Sequence, residues 1–254
     1  MRAAIVGPAL ALSWLTVLPV RGPQQVDRAA ATKAIASAPL VGLLLGSLAA
    51  LTLWAAGAGS LNGILAGFLA VGLLALVTRG MHVDGLADTV DGLGCYGPPE
   101  RAREVMQSGG AGPFGVAAIV VVFAVQATGF ASLADRHAWW SIVFAAVVGR
   151  VCVVLACRRG VPAASERGFG ALVAGTQQAY VIAIWMIAAL GLSTFLVDDR
   201  WWQGPIVVAA AAMFTELAVR HCCRRFGGLS GDVLGAVVEV TTAITVVGLL
   251  LGGR

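Results

Sequence analysis

Apolar stretches of nearly twenty residues recur along this chain, each separated from the next by a short segment that carries arginine. They lie near residues 34–57, 61–78, 113–134, 139–157, 178–197, 204–221 and 233–252. A helix of about 20 apolar residues crosses the hydrocarbon layer of a bilayer. Strands are a poor alternative, because lipid leaves unpaired backbone groups unsatisfied and these runs lack the period-two alternation of a barrel. The sequence therefore predicts an all-α fold, a polytopic transmembrane helical bundle of about seven spanning helices. The apolar stretch Ala3–Val20, interrupted by Pro8 and Pro19 and led by Arg2 alone, is expected to form an interfacial helix rather than a cleaved signal peptide.

Composition supports the membrane reading. The chain is 59% hydrophobic and 12% charged, whereas soluble domains average about 25% charged. The 33 glycines suit helices that pack closely in lipid. No soluble linker divides the chain, so residues 1–254 read as a single integral membrane domain. The five cysteines contain no CxxC pair and read as free thiols.

Lys and Arg in the connecting segments set the orientation. One alternating set holds Arg21, Arg28, Lys33, Arg79, Arg101, Arg103, Arg158, Arg159, Arg167, Arg220, Arg224 and Arg225. The other holds Arg136, Arg200 and Arg254. The positive-inside bias makes the first set cytoplasmic, and the expected location is the cell (inner) membrane. The net charge of +4 is then a record of loop arginines, and no nucleic-acid partner is expected.

Chemistry concentrates in the block His82–Gly92, His-Val-Asp-Gly-Leu-Ala-Asp-Thr-Val-Asp-Gly. Asp84, Asp88 and Asp91 stand at i, i+4 and i+7, one stripe of a helix. Three like charges there call for a compensating cation, and Mg²⁺ is the natural choice for carboxylate oxygens. Asp84 and Asp91 are about 10 Å apart along the axis, so either two ions share the stripe or another helix completes the site. Asp232 is the candidate for that fourth ligand. Glu239 shares a face with Asp232 two turns deeper, and Arg150 is the internal arginine expected to partner it. The turn Ser108–Gly115, with Gly112 and Gly115, opens a membrane helix with backbone N–H groups that can cradle phosphate. Arg224 and Arg225 stand at the cytosolic edge of another helix, where positive-inside anchoring is the plainer role.

These blocks, in this order, resemble the cobalamin synthase family, the membrane-bound adenosylcobinamide-GDP ribazoletransferases. The resemblance rests on His82–Gly92, on Gly112-Pro-Phe-Gly115, and on Gly227-Gly-Leu-Ser-Gly-Asp-Val-Leu-Gly235. Ala11–Pro19 and Pro39–Gly42 also match the family's opening, so nearly the whole chain is covered. Two positions depart from it: Ser108 stands where the family usually has aspartate, and Ser165 where many members have arginine, with Arg167 two residues on.

The resemblance implies a late step of cobalamin assembly. The ribose 3′-hydroxyl of α-ribazole, or of its 5′-phosphate, would attack the cobinamide-side phosphorus of adenosylcobinamide-GDP, and GMP would leave. Asp84, Asp88, Asp91 and Asp232 would hold Mg²⁺, with Asp88 or Asp91 open as proton acceptor. His82 would orient a carboxylate or touch phosphate. Arg224 and Arg225 would bind the GDP phosphates, and Gly85, Gly92, Gly112, Gly115, Gly228 and Gly231 would line the substrate. Whether the protein forms a homo-oligomer is left open. Two other readings compete. One is a CDP-alcohol phosphotransferase, although Asp88 and Thr89 occupy the Ala-Arg positions of that family's motif. The other is a cation or metabolite carrier, although no internal repeat is present.

Overall fold

The computed structural model describes residues 6–22 and 26–252; Arg2, Arg254 and the first residues of the Ala3–Val20 stretch lie outside the described residues. Every regular element among the described residues is helical. In order they are α1 (Val6–Leu15), α2 (Arg28–Ala36), α3 (Ala38–Ala58), α4 (Gly63–Val77), α5 (Met81–Gly94) and α6 (Pro99–Met106). Then follow α7 (Pro113–Asp135), α8 (Trp139–Ala156), α9 (Phe169–Val173), α10 (Ala179–Ser193), α11 (Gln203–Phe226) and α12 (Gly231–Leu250).

Each of the seven apolar runs is helical, but the count of seven spans is not confirmed. Five helices are long and apolar enough to cross a membrane: α3, α7, α8, α11 and α12. α4 and α10 have 15 residues each. That is about 22 Å of helix, short of the roughly 30 Å of a hydrocarbon core. α4 does not end its path there. Arg79 and Gly80 both adopt positive φ, 57° and 68°. They turn the chain by 93° into α5, and the broken pair counts as a sixth crossing. α1, with 10 residues, is too short to cross; it buries Leu10 and Ala11 in a small cluster with Ile35's neighbour Ala34 and with Val41 and Leu45.

The most enclosed helix is α8, buried along nearly its whole length between α3 and α12. Small residues permit this. A Cβ on Gly42 would lie 2.7 Å from the Ala146 carbonyl oxygen, and one on Gly46 2.7 Å from the Val143 Cα. Close approach of this kind drives helix association in lipid, where hydrophobicity gives no preference for a neighbouring helix. The opposite face of α3 presents Leu43, Leu44, Leu51 and Trp54 outward.

The two sets of basic loops sit at opposite ends. At one end Arg28 Nη2 donates to Ala174 O at 2.7 Å, Arg79 to Trp14 O at 2.7 Å, and Arg103 to Phe226 O at 3.0 Å. Arg158 pairs with Glu216 at 2.8 Å in the same layer. At the other end Arg200 reaches Leu251 O at 3.2 Å, beyond the C-terminus of α12. The first end carries the start of α7 and α12 and the close of α5, and Asp84, Asp88, Asp91 and Asp232 lie there.

Candidate active site

The site is built on a crossing of α5 and α12. A Cβ on Gly85 would fall 2.8 Å from the Asp232 Cα, and one on Gly235 3.0 Å from the His82 carbonyl oxygen. The two glycines thus let the backbones touch in antiparallel register. As a result Asp84 and Asp88 on α5 lie beside Asp232, the first residue after the α12 N-terminus. Asp88 is half-buried and experiences the charges of Asp84, Asp232 and Asp91 together. Neither Asp84 nor Asp88 accepts a side-chain hydrogen bond among the described residues. Asp232 takes one from the Ser230 hydroxyl at 3.2 Å, while the same hydroxyl caps α12 through Val233 N at 3.3 Å.

Asp91 is placed differently from its two neighbours on the stripe. It is buried, and both of its oxygens are committed. Gly112 N–H donates to Oδ2 at 2.7 Å and Gly115 N–H to Oδ1 at 2.9 Å. A carboxylate from α5 therefore closes the first turn of α7, where the helix dipole favours negative charge. The Gly112 and Gly115 amides, expected to cradle phosphate, here have an anionic partner, and each Asp91 oxygen, expected to ligate a cation, accepts one of their hydrogen bonds. Three carboxylates of one stripe divide because α7 starts just where the third of them emerges.

The other candidates also find positions. Gly92 packs against Met106 and Phe226, Gly228 closely against the backbone of Ala163 and Ala164, and Gly231 against the Phe169 ring. Gly92 and Gly231 are helix positions, whereas Gly228 lies where two loops meet. Arg225 donates to Cys95 O at 2.6 Å and to Gly97 O at 3.0 Å, which ties the loop after α5 to the end of α11. Arg224 beside it is exposed and has no such tether. Ser108 donates to Val105 O at 2.8 Å, closing α6, and Ser165 donates to Arg167 O at 2.5 Å within its own loop.

Glu239 does not form the expected direct ion pair with Arg150. Gln126 Nε2 donates to its carboxylate at 2.8 Å, and Arg150 acts on it only across a longer gap. His82 is buried, with Nδ1 unpartnered. Beside the acids, a cavity of about 350 Å³ opens between α1, α2, α3, α5, α8, α9 and α12, with Asp84, Asp232, His82 and Arg150 in its lining. No motif announced this cavity, because its walls are contributed by helices far apart in sequence.

Whether the acids suit Mg²⁺ is answered by their chemistry. Among the described residues no three His, Cys, Asp or Glu side chains converge on one metal position. Mg²⁺ does not require such a cage: it keeps several waters and commonly binds one or two carboxylates plus substrate phosphate oxygens. Asp84, with unengaged oxygens at the basic end of the bundle and Asp232 beside it, fits that pattern.

Comparison with known proteins gives consistent results. A family model described as cobalamin-5-phosphate synthase matches residues 7–250. An adenosylcobinamide-GDP ribazoletransferase from Corynebacterium efficiens is 38% identical over 254 residues, covering 95% of this chain and 92% of the relative. One from a Nocardioides species is 42% identical over 237 residues, covering 92% and 94%. One from Frankia casuarinae is 37% identical over 252 residues, covering 92% and 91%. No solved structure matches the chain.

Proposed function

The chain belongs to the cobalamin-5-phosphate synthase family, and on that premise we propose that it joins adenosylcobinamide-GDP to α-ribazole or α-ribazole 5′-phosphate, with release of GMP. It is an adenosylcobinamide-GDP ribazoletransferase acting late in assembly of the cobalamin nucleotide loop. In the reaction the ribose 3′-hydroxyl oxygen bonds to the cobinamide-side phosphorus. The pyrophosphate P–O bond breaks, its electrons leave on GMP, and the hydroxyl proton passes to a carboxylate.

The observation that carries this reading is the Gly85–Gly235 crossing, which sets Asp84, Asp88 and Asp232 side by side at the basic end. Asp84, with Asp232 in support, would hold Mg²⁺, and Asp88 would stand beside the ion without ligating it. Bound there, the ion would neutralise charge on the pyrophosphate and the leaving group. Asp88, half-buried and surrounded by like charge, is the group suited to take the proton. Asp91 positions the α7 turn beside them. Arg224, exposed and with no hydrogen bond among the described residues, would meet the guanosine phosphates. The basic end faces the cytoplasm of the cell membrane by the positive-inside bias, where nucleotide substrates are made.

The test is GMP release by the purified protein in detergent, given adenosylcobinamide-GDP and α-ribazole. We expect turnover with Mg²⁺ and none after chelation. Turnover that persists in chelator removes the cation from the proposal. Release of CMP from a CDP-linked lipid, with none of GMP, removes the reaction itself.

A further inference from the structure

The cavity beside the acids contains polar atoms that the reaction just described leaves without work. Arg150 lies in a wall formed mostly by apolar side chains and is only 5% exposed. Among the described residues its Nε is buried without a partner, and its one hydrogen bond is a long one, Nη1 to the carbonyl of Ala146 at 3.4 Å. His82, 6% exposed, lies in the same wall, and its buried Nδ1 is unpartnered. A buried guanidinium with unmet N–H donors is unfavourable unless something else accepts from them. Both residues line one space, and its acidic side chains, Asp84 and Asp232, accept no hydrogen bond from either of them among the described residues.

The shape and lining of that space narrow down its occupant. Its volume lies within the range of about 300–1,000 Å³ seen for small-molecule sites. Trp14 and Phe169 stand edge to face in its wall, ring centroids 5.2 Å apart, with Ile35, Val153 and Val238 completing an apolar slot. From Asp232 to Val238 along α12 is six residues, about 9 Å of depth. A ligand here is flat and apolar at its inner end, with an acceptor for Arg150, and it reaches out to the acids. Glu239 lies within electrostatic range of Arg150 and partly balances its charge, which favours a neutral acceptor over a second anion.

We propose that this cavity holds the base of the acceptor nucleoside, a neutral fused heteroaromatic ring, with Arg150 donating to its unglycosylated ring nitrogen and the ribose hydroxyl carried outward to Asp84 and Asp232. The inference rests on the functional reading above, since it takes the acceptor to be a benzimidazole riboside. It makes Arg150 a specificity residue for the base, remote from the phosphorus.

The experiment compares benzimidazole riboside with indole riboside, which has the same shape without the acceptor nitrogen. Each is used as acceptor with adenosylcobinamide-GDP. The wild type is expected to prefer the benzimidazole compound by roughly tenfold or more in kcat/KM, the value of a hydrogen bond from a charged donor. Arg150→Met is expected to abolish that preference and leave the KM for adenosylcobinamide-GDP unchanged. If Arg150→Met fails to fold, Val153→Phe, which narrows the slot, is expected to raise the acceptor KM alone by roughly tenfold. An undiminished preference in Arg150→Met overturns the proposal. So does a change confined to the donor KM, or a loss seen only with acceptors bearing a 5′-phosphate, which would make Arg150 a phosphate ligand. If the wild type releases no GMP with either riboside, the functional reading fails, and calorimetric titration of benzimidazole riboside into the resting protein decides the cavity separately. Binding weakened by Arg150→Met supports the cavity assignment, and absence of binding overturns it.

Discussion

Replacing Asp91 with alanine distinguishes a positioning carboxylate from a metal-binding one. The change strips acceptors from two amides at the start of α7. The Gly115 amide is fully buried, so losing its partner costs about 2–3 kcal/mol, while the partly buried Gly112 amide can recruit water and costs about 1 kcal/mol. The sum is about 3–4 kcal/mol. For a chain of this size each kcal/mol moves the melting midpoint by about 2–4 °C, so a fall of about 10 °C is expected. Asp91→Asn keeps one acceptor oxygen and should lose about half as much. The assay is thermal unfolding in detergent, run beside Asp88→Asn. Asp88 has no hydrogen bond to lose, so that variant should melt with the wild type and yet release almost no GMP. If Asp91→Ala melted with the wild type and had lost turnover as Asp88→Asn does, the capping argument would be refuted and Asp91 would return to the cation site.

Gly85→Leu should fail both in stability and in turnover, because even a Cβ there stands 2.8 Å from the Asp232 Cα and α5 must back away from α12; unaltered Mg²⁺-dependent activity would show that the crossing is not what assembles the acids. Arg224→Ala should raise the KM for adenosylcobinamide-GDP roughly tenfold, the value of a charge-assisted hydrogen bond, with an unchanged melting midpoint. Arg225→Ala should instead loosen the Cys95–Gly97 segment, detectable as faster proteolysis after α5, since that side chain spends its donors on those carbonyls.

Much of this architecture was visible in the sequence because membrane helices declare themselves by length and polarity. The stripe Asp84–Asp88–Asp91 was readable from the helical period alone, and so was Asp232 as its companion on a second helix. The break at Arg79–Gly80 was not, since hydropathy reports burial and carries no information on φ. α10 looked like a span as well, because residues 178–197 are apolar beyond the point where the helix stops at Ser193. The role of Asp91 depends on a turn more than twenty positions downstream, and no local pattern encodes that meeting. Arg150 was legible as an unusual intramembrane cation, but its partner was misassigned: Gln126, neutral and unremarkable in sequence, reaches Glu239 first.

The bend between α4 and α5 also bears on how the protein is made. A helix with three aspartates has no comfortable place beside acyl chains, so α5 cannot settle when it leaves the ribosome. It must wait for α7 to supply the two amides and for α12, far downstream, to present Gly235. The acidic cluster is therefore assembled only after α12 has emerged, and a nascent chain arrested before α12 should hold α5 at the water interface, open to protease.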